Sequence, residues 1–259
     1  MSAGWCAPVL MCAWVFSASG AVRMQVVEGR PVVDGVFVNG HGPYRFLVDT
    51  ATTMNHMEPG LARSIGLQVN FRTQLSSSVG DVEAVGSEGV EIVLGDARAD
   101  EQKLLFAGME VVHQLAGDIQ GILGQSFLSR FDYLLDLKRK RLEFGKQIVT
   151  GNRSPLRLHE GRNIISTSLG ELVLDSGAAT LVLFGVRPDG ANESLIKTLA
   201  GSRTVGMIYS KLIVEGRQIW RGNAVAIPDR SEPGIAGLMP LSLFRAIYVC
   251  NSEGFVVFE

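Results

Sequence analysis

Phe46-Leu47-Val48-Asp49-Thr50-Ala51-Thr52-Thr53 returns, 126 residues later, as Leu172-Val173-Leu174-Asp175-Ser176-Gly177-Ala178-Ala179. In each copy three apolar residues run into an aspartate, followed by a hydroxyl residue and a small residue. An apolar run of this length, rich in Val and Leu, reads as a buried strand with the carboxylate at its end. A single aspartate there is most simply a turn or cap residue. The duplication changes that reading, because small residues after each aspartate allow two such loops to approach closely. A second duplicated segment follows each first one. Gly121-Ile122-Leu123-Gly124-Gln125-Ser126-Phe127-Leu128 is echoed by Gly237-Leu238-Met239-Pro240-Leu241-Ser242-Leu243-Phe244.

Around these segments the chain reads as short strands broken by turn residues. Pro31 to Val38 and Tyr44 to Asp49 form a hairpin across the turn Asn39-Gly40-His41-Gly42-Pro43. Pro59 to Ile65, closed by Gly66, reads as a short helix. Val90 to Leu94 and Lys103 to Val112 read as strands. Phe127 to Arg130 opens a short helix, and Tyr133 to Leu137 with Arg141 to Phe144 make a closing hairpin. Asp132 and Asp136 read as strand-surface or helix-end residues. The order of elements therefore occurs twice, in residues 24–150 and 151–259, with the polar stretch Thr150-Gly151-Asn152-Arg153-Ser154-Pro155 between the halves.

One aspartate per half, related by the repeat, places two carboxyls at a pseudo-two-fold axis. Two carboxylates about 3 Å apart cannot both ionise, so they share a proton. One then serves as base toward a water and the other as acid toward a carbonyl oxygen. Thr50 and Ser176 are positioned to cross-link the loops through the opposite backbone. The N–H groups of Ala51 and Gly177 are positioned to hold the carboxylates.

On these motifs the chain resembles the pepsin/retropepsin-type aspartic proteases, in particular single-chain, two-lobed bacterial relatives of the retroviral enzymes. Asp175-Ser176-Gly177-Ala178 matches the active-site motif of that family, and Asp49-Thr50-Ala51-Thr52 matches it with one change. Ile122-Leu123-Gly124 and Leu238-Met239-Pro240 match the turns that support the acidic loops. The resemblance spans 24–259. It implies an all-β, two-lobed acid-protease fold with pseudo-two-fold related β-barrel lobes. It further implies peptide-bond hydrolysis between Asp49 and Asp175, a polypeptide substrate lying in the cleft, and no metal or other cofactor. Because both aspartates lie in one chain, a monomer suffices. The flap of the family is matched to Leu75 to Gly86, with Ser78-Val79-Gly80-Asp81 at its tip and no tyrosine. A second-half counterpart is expected near Thr204 to Tyr209.

The departures are Ala51, where the family has glycine, and Pro240, which lacks an N–H. Thr52 can donate to its aspartate whereas Ala178 has no hydroxyl, which should raise the titration of the pair and give an optimum less acidic than that of pepsin. Together Ala51 and Pro240 motivate an alternative, a weakly active or inactive pseudoprotease that binds extended peptides without cutting them.

The remaining sequence excludes more than it adds. The chain has 259 residues, 46% hydrophobic, with net charge -2, too apolar for disorder and too nearly neutral for a general attraction to nucleic acid. Lys138-Arg139-Lys140-Arg141 reads as a solvated turn. Past the N-terminus no apolar run is long enough to span a membrane. Residues 1–23 read as an export signal, with Trp5 to Ala21 as its apolar region and Ser19-Gly20-Ala21 as the cleavage zone, which predicts a periplasmic or secreted protein. A start at Met24 predicts a cytoplasmic one instead. With Cys6 and Cys12 in that signal, Cys250 stands alone as a small buried hydrophobe. His41, His56, His113 and His159 show no metal-ligand spacing.

Overall fold

The computed structural model describes residues 20–77, 80–188, 193–198, 201–229 and 232–259. Most of the stretch read as an export signal lies outside them. The fold is all-β: strands dominate, and the α-helices among the described residues are four to six residues long.

Two sheets carry the two aspartate loops. In the first, strand His41–Val48 lies between its hairpin partner Arg30–Val38 and a short parallel strand, Gly121–Leu123. In the second, Gly170–Asp175 lies between Arg162–Thr167 and the parallel strand Gly237–Pro240. Phe46, Leu47 and Val48 are all buried, as are Leu172, Val173 and Leu174. Phe46 and Val48 pack into one apolar cluster and Leu47 into another, as Leu172 and Leu174 do against Val173, so both faces of each strand are covered and the strands read as unbroken apolar runs. The glycine opening each parallel strand is required by close approach. A Cβ on Gly121 would lie 2.5 Å from the His56 carbonyl oxygen, and one on Gly237 would lie 1.9 Å from that of Val182.

Several boundaries differ from the sequence reading. The five-residue turn contracts to Asn39-Gly40, both with positive φ (47° and 76°), because a two-residue turn of this kind matches strand twist. His41 already pairs with Val38. The strand expected over Lys103 to Val112 ends at Phe106, and Glu110–His113 is helical. The supporting turns are largely strand, with Gly124 and Pro240 as the N-caps of the helical turns Gln125–Leu128 and Leu241–Leu243. Val22 and Arg23, placed upstream of the first-half boundary, already pair with Leu142 and Arg141, and cleavage after Ala21 would keep that pairing.

The two halves share a sheet. Tyr133–Asp136, hairpin partner of Arg141–Phe144, pairs antiparallel with Ala246–Cys250, hairpin partner of Phe255–Phe258. Leu135 lies opposite Ile247 at the centre. The surface positions expected for Asp132 and Asp136 are wrong, because both aspartates are buried at this junction. Asp132 accepts from the Ser252 amide (2.8 Å) and hydroxyl (2.6 Å), and Asp136 pairs with Arg139 at 3.0 Å. The main apolar core likewise draws on both halves, from Phe46 and Phe127 to Leu174 and Ile247. Cys250 is a buried free cysteine.

Candidate active site

The two aspartate loops meet and are bound to each other. The Thr50 hydroxyl donates to the Leu174 carbonyl (2.7 Å) and accepts from the Ser176 amide (3.0 Å). The Ser176 hydroxyl donates to the Val48 carbonyl (2.6 Å) and accepts from the Thr50 amide (3.0 Å). Both side chains are buried. Each hydroxyl uses its donor and one acceptor position across the junction, so neither loop can retreat without stranding buried polar groups, at about 1–3 kcal/mol for each.

The carboxyls are held from their own loops. Asp49 Oδ1 accepts from the Ala51 amide (2.9 Å) and Oδ2 from the Thr52 hydroxyl (2.9 Å). Asp175 Oδ1 accepts from the Gly177 amide (2.7 Å) and the Ala178 amide (2.9 Å). Burial pushes both carboxyls up, against the lowering effect of these donors. Asp175, the more covered of the two, is pushed up to about 7 by burial and then by the charge of Asp49. The loop positions named from sequence therefore come together in space.

Beneath the first loop, Leu123 accepts from the Asp49 amide (2.9 Å), and the amides of Gln125 and Ser126 donate to the Thr52 (2.8 Å) and Thr53 (2.9 Å) carbonyls. Gln125 Nε2 donates to the Thr50 carbonyl (2.7 Å), and the Gly124 amide is met by Asn55 Oδ1 (3.0 Å). Beneath the second loop, Pro240 stands in register with Asp175. The position corresponding to Asn55 is Leu181, which is buried. The second copy has thus lost a buried donor and its acceptor together, a nearly neutral exchange. Ala51 is not among the residues with positive φ, so its methyl group strains no backbone. It keeps the amide bond to Asp49 and packs against the apolar cluster of the second sheet.

The equivalent position in the other loop does not share that tolerance. A Cβ on Gly177 would lie 2.7 Å from Asp49 Oδ2. Gly177→Ala is expected to slow any reaction at the pair about 10- to 100-fold, the kinetic equivalent of an overpacking cost of about 1–3 kcal/mol. A comparison of kcat with thermal stability checks this, and an unchanged kcat would show that the carboxyls need not hold this geometry.

The segment expected to form the flap, Leu75 to Gly86, falls in a hairpin of Phe71–Ser77 with Gly80–Leu94. Gly80 and Asp81 lie in its second strand, opposite Ser77 and Ser76, while Ser78 and Val79 fall outside the described residues. Thr204 to Tyr209 lies in the strand Gly201–Val214, whose first part pairs antiparallel with the preceding strand Glu193–Thr198.

Sequence reasoning missed Arg30, Asn55 and Gln125. Arg30 donates through Nε to the Gly177 carbonyl (2.7 Å) and lowers the titration of both aspartates. Its signal was a third repeat, Glu28-Gly29-Arg30 against Glu160-Gly161-Arg162. Away from the loops, His159, Glu160 and Glu232 bring potential ligand atoms within 4.8 Å of one another. The Arg162 guanidinium sits on Glu232 and already supplies a cation there.

Residues 35–127 match a family model described as aspartyl protease. That stretch is similar to an aspartyl protease domain. The match includes Asp49, its loop and the supporting Gly124, and it ends before Asp175. The place of Asp175 in an aspartyl protease site therefore rests on the repeat and on the cross-linked loops. No curated protein matches the chain. No helix among the described residues is long and apolar enough to cross a membrane.

Proposed function

We propose that this protein is a single-chain aspartic endopeptidase, with one catalytic aspartate from each half, acting as a monomer on polypeptides after export. The observation that carries the reading is the reciprocal Thr50–Ser176 lock, which holds two buried carboxyls in one electrostatic unit.

The hydrogen bonds suggest where the proton rests. Both oxygens of Asp49 accept a bond, which favours its ionised form. Asp175 receives both amide bonds on Oδ1, leaving Oδ2 to carry the shared proton. Asp49 takes a proton from a water as its oxygen attacks the scissile carbonyl carbon, and Asp175 gives its proton to the carbonyl oxygen. The tetrahedral intermediate then collapses. The C–N bond breaks, the amine leaves with the proton held by Asp49, and the proton on the intermediate's hydroxyl returns to Asp175. The pair titrates as a unit, and activity falls as pH rises through about 7, where the shared proton is lost. An extended substrate would pair its backbone with the hairpin Phe71–Ser77/Gly80–Leu94 as an added strand.

The test is digestion of a mixture of unfolded proteins from about pH 3 to about pH 8 by the wild type and by Asp49→Asn. Cleavage by the wild type that is lost in the variant supports the reading. Stoichiometric peptide binding without cleavage by a folded wild type would replace it with the peptide-binding alternative.

A further inference from the structure

Arg30 reaches across the molecule. It stands at the end of the turn Glu28-Gly29, where strand Arg30–Val38 begins, yet its Nε bonds the Gly177 carbonyl in the other half (2.7 Å). Its Nη1 turns back to the Glu28 carbonyl (3.3 Å) and carboxylate (3.4 Å). Gly177 is the residue whose amide holds Asp175 and whose Cα faces Asp49. One guanidinium thus grips the loop between the two carboxyls.

The repeat supplies a contrast. Glu160-Gly161-Arg162 forms the same kind of turn, with φ values of 47° and 77° against 49° and 82° for Glu28 and Gly29. That turn lies beside the first loop, since a Cβ on Gly161 would come 4.0 Å from Thr53. Arg162 is committed elsewhere: it pairs with Glu232, whose Oε1 also meets His159 Nε2 at 2.8 Å. Glu232 is largely buried, whereas Glu28, the acid beside Arg30, is exposed and screened by water. Of two arginines delivered by matching turns, one is neutralised by a buried acid, and the other keeps its charge beside the aspartates.

We infer that Arg30 is a positioning residue for the proposed reaction, which clamps the second loop through the Gly177 carbonyl and holds one net negative charge on the aspartate pair. The inference rests on the proposed endopeptidase reading. The charges that act on the pair are the two carboxyls themselves and Arg30, with Glu28 behind Arg30. A cation at this place favours the singly ionised pair over the fully protonated one, and it opposes the ionised pair's return to neutrality in acid. Arg162 is engaged by Glu232 instead.

The test compares wild type, Arg30→Met and Arg30→Lys. It uses the pH profile of kcat/KM and, independently of turnover, the titration of carbon-13-labelled aspartate carboxyls by NMR. Arg30→Met is expected to move both limbs of the profile and both carboxyl titrations upward by about one pH unit. Arg30→Lys keeps the charge and is expected to stay close to wild type. Unmoved titrations in folded Arg30→Met, or an equal shift in Arg30→Lys, would overturn the inference. Absence of turnover in the wild type would count against the endopeptidase reading alone, since the carboxyl titrations still decide the role of Arg30. Should Arg30→Met not fold, Glu28→Gln carries the test. Removing the acid beside Arg30 is expected to lower both titrations by a few tenths of a pH unit, and no change would overturn the inference.

Discussion

Asp175→Asn is expected to lower peptide hydrolysis by at least about 1,000-fold, a loss typical of removing a group that acts as one of a unit. The substitution is nearly isosteric. The amide oxygen of Asn still accepts from the Gly177 and Ala178 N–H groups that now reach Asp175 Oδ1. The Thr50–Ser176 lock does not involve either carboxyl. Loop geometry and peptide affinity should therefore survive, and the loss should fall on kcat rather than KM. What disappears is the titratable proton, because an amide cannot give up a proton to the carbonyl oxygen and recover it. Measured turnover in a folded Asp175→Asn within tenfold of wild type would remove Asp175 from the chemistry.

The second large effect concerns stability and comes from two buried groups that titrate in opposite senses. Asp175 has a folded value of about 7 against an ordinary value of 3.8. The folded state keeps a proton that the unfolded chain releases, so this contribution is fully present below about pH 4 and is lost as pH rises toward 7. His56 is buried, and burial holds it down at about 4 against an ordinary 6.5. The unfolded chain there takes up a proton that the folded state refuses, so its contribution is fully present above about pH 6.5 and is lost as pH falls toward 4. The windows overlap, each contribution is on the order of a few kcal/mol, and the signs oppose. Between about pH 4.5 and 6.5 the wild type should therefore show a nearly level Tm. Asp175→Asn should lose stability on acidification through that range. His56→Leu, which leaves no partner stranded at Nδ1, should gain it. Thermal melts of the three proteins at four pH values decide the matter, and parallel curves would show that the two groups do not titrate as described.

The parts of the fold legible in the sequence are those in which local pattern and tertiary need coincide. A three-residue apolar run ending in aspartate is a strand covered on both faces at Phe46–Val48 and again at Leu172–Leu174, so the pattern and its cause coincide. The short helix Pro59–Ser64 was readable because Pro59 opens it and Gly66, with φ of 79°, follows its end. Other features carry no local mark. Lys103 to Val112 is continuously apolar enough for a strand, and only the docking of Met109 and Val112 against Val32 and Ile122 makes its end helical. Asp132 and Asp136 look like surface residues until Ser252 and Arg139 are known to meet them. The site divides in the same way. Asp49 and Asp175 were visible as a repeat. Arg30 is marked by the Glu-Gly-Arg repeat, but its role stayed hidden because its partner lies 147 positions away and is a backbone carbonyl. Gln125 and Asn55 were hidden for the same reason, since they serve the Thr50 carbonyl and the Gly124 amide.

The pairing of Tyr133–Asp136 with Ala246–Cys250 also sets an order of events during synthesis. When the ribosome has released the first half, that strand has its hairpin partner on one side and an open edge on the other, with Tyr133 and Leu135 bound for the core. The strand that covers the edge is more than a hundred residues downstream, so the closing contact is of long range and correspondingly slow to form. Until then the nascent chain presents a sheet edge open to wrong partners, a natural target for a holding chaperone. The two aspartate loops are no sooner finished, because the strand beside Asp175 ends at Pro240, just before the covering strand begins. A chain made only as far as the first half therefore carries one carboxyl and no pair, and the pairing of the two loops waits for the strands on either side of Asp175.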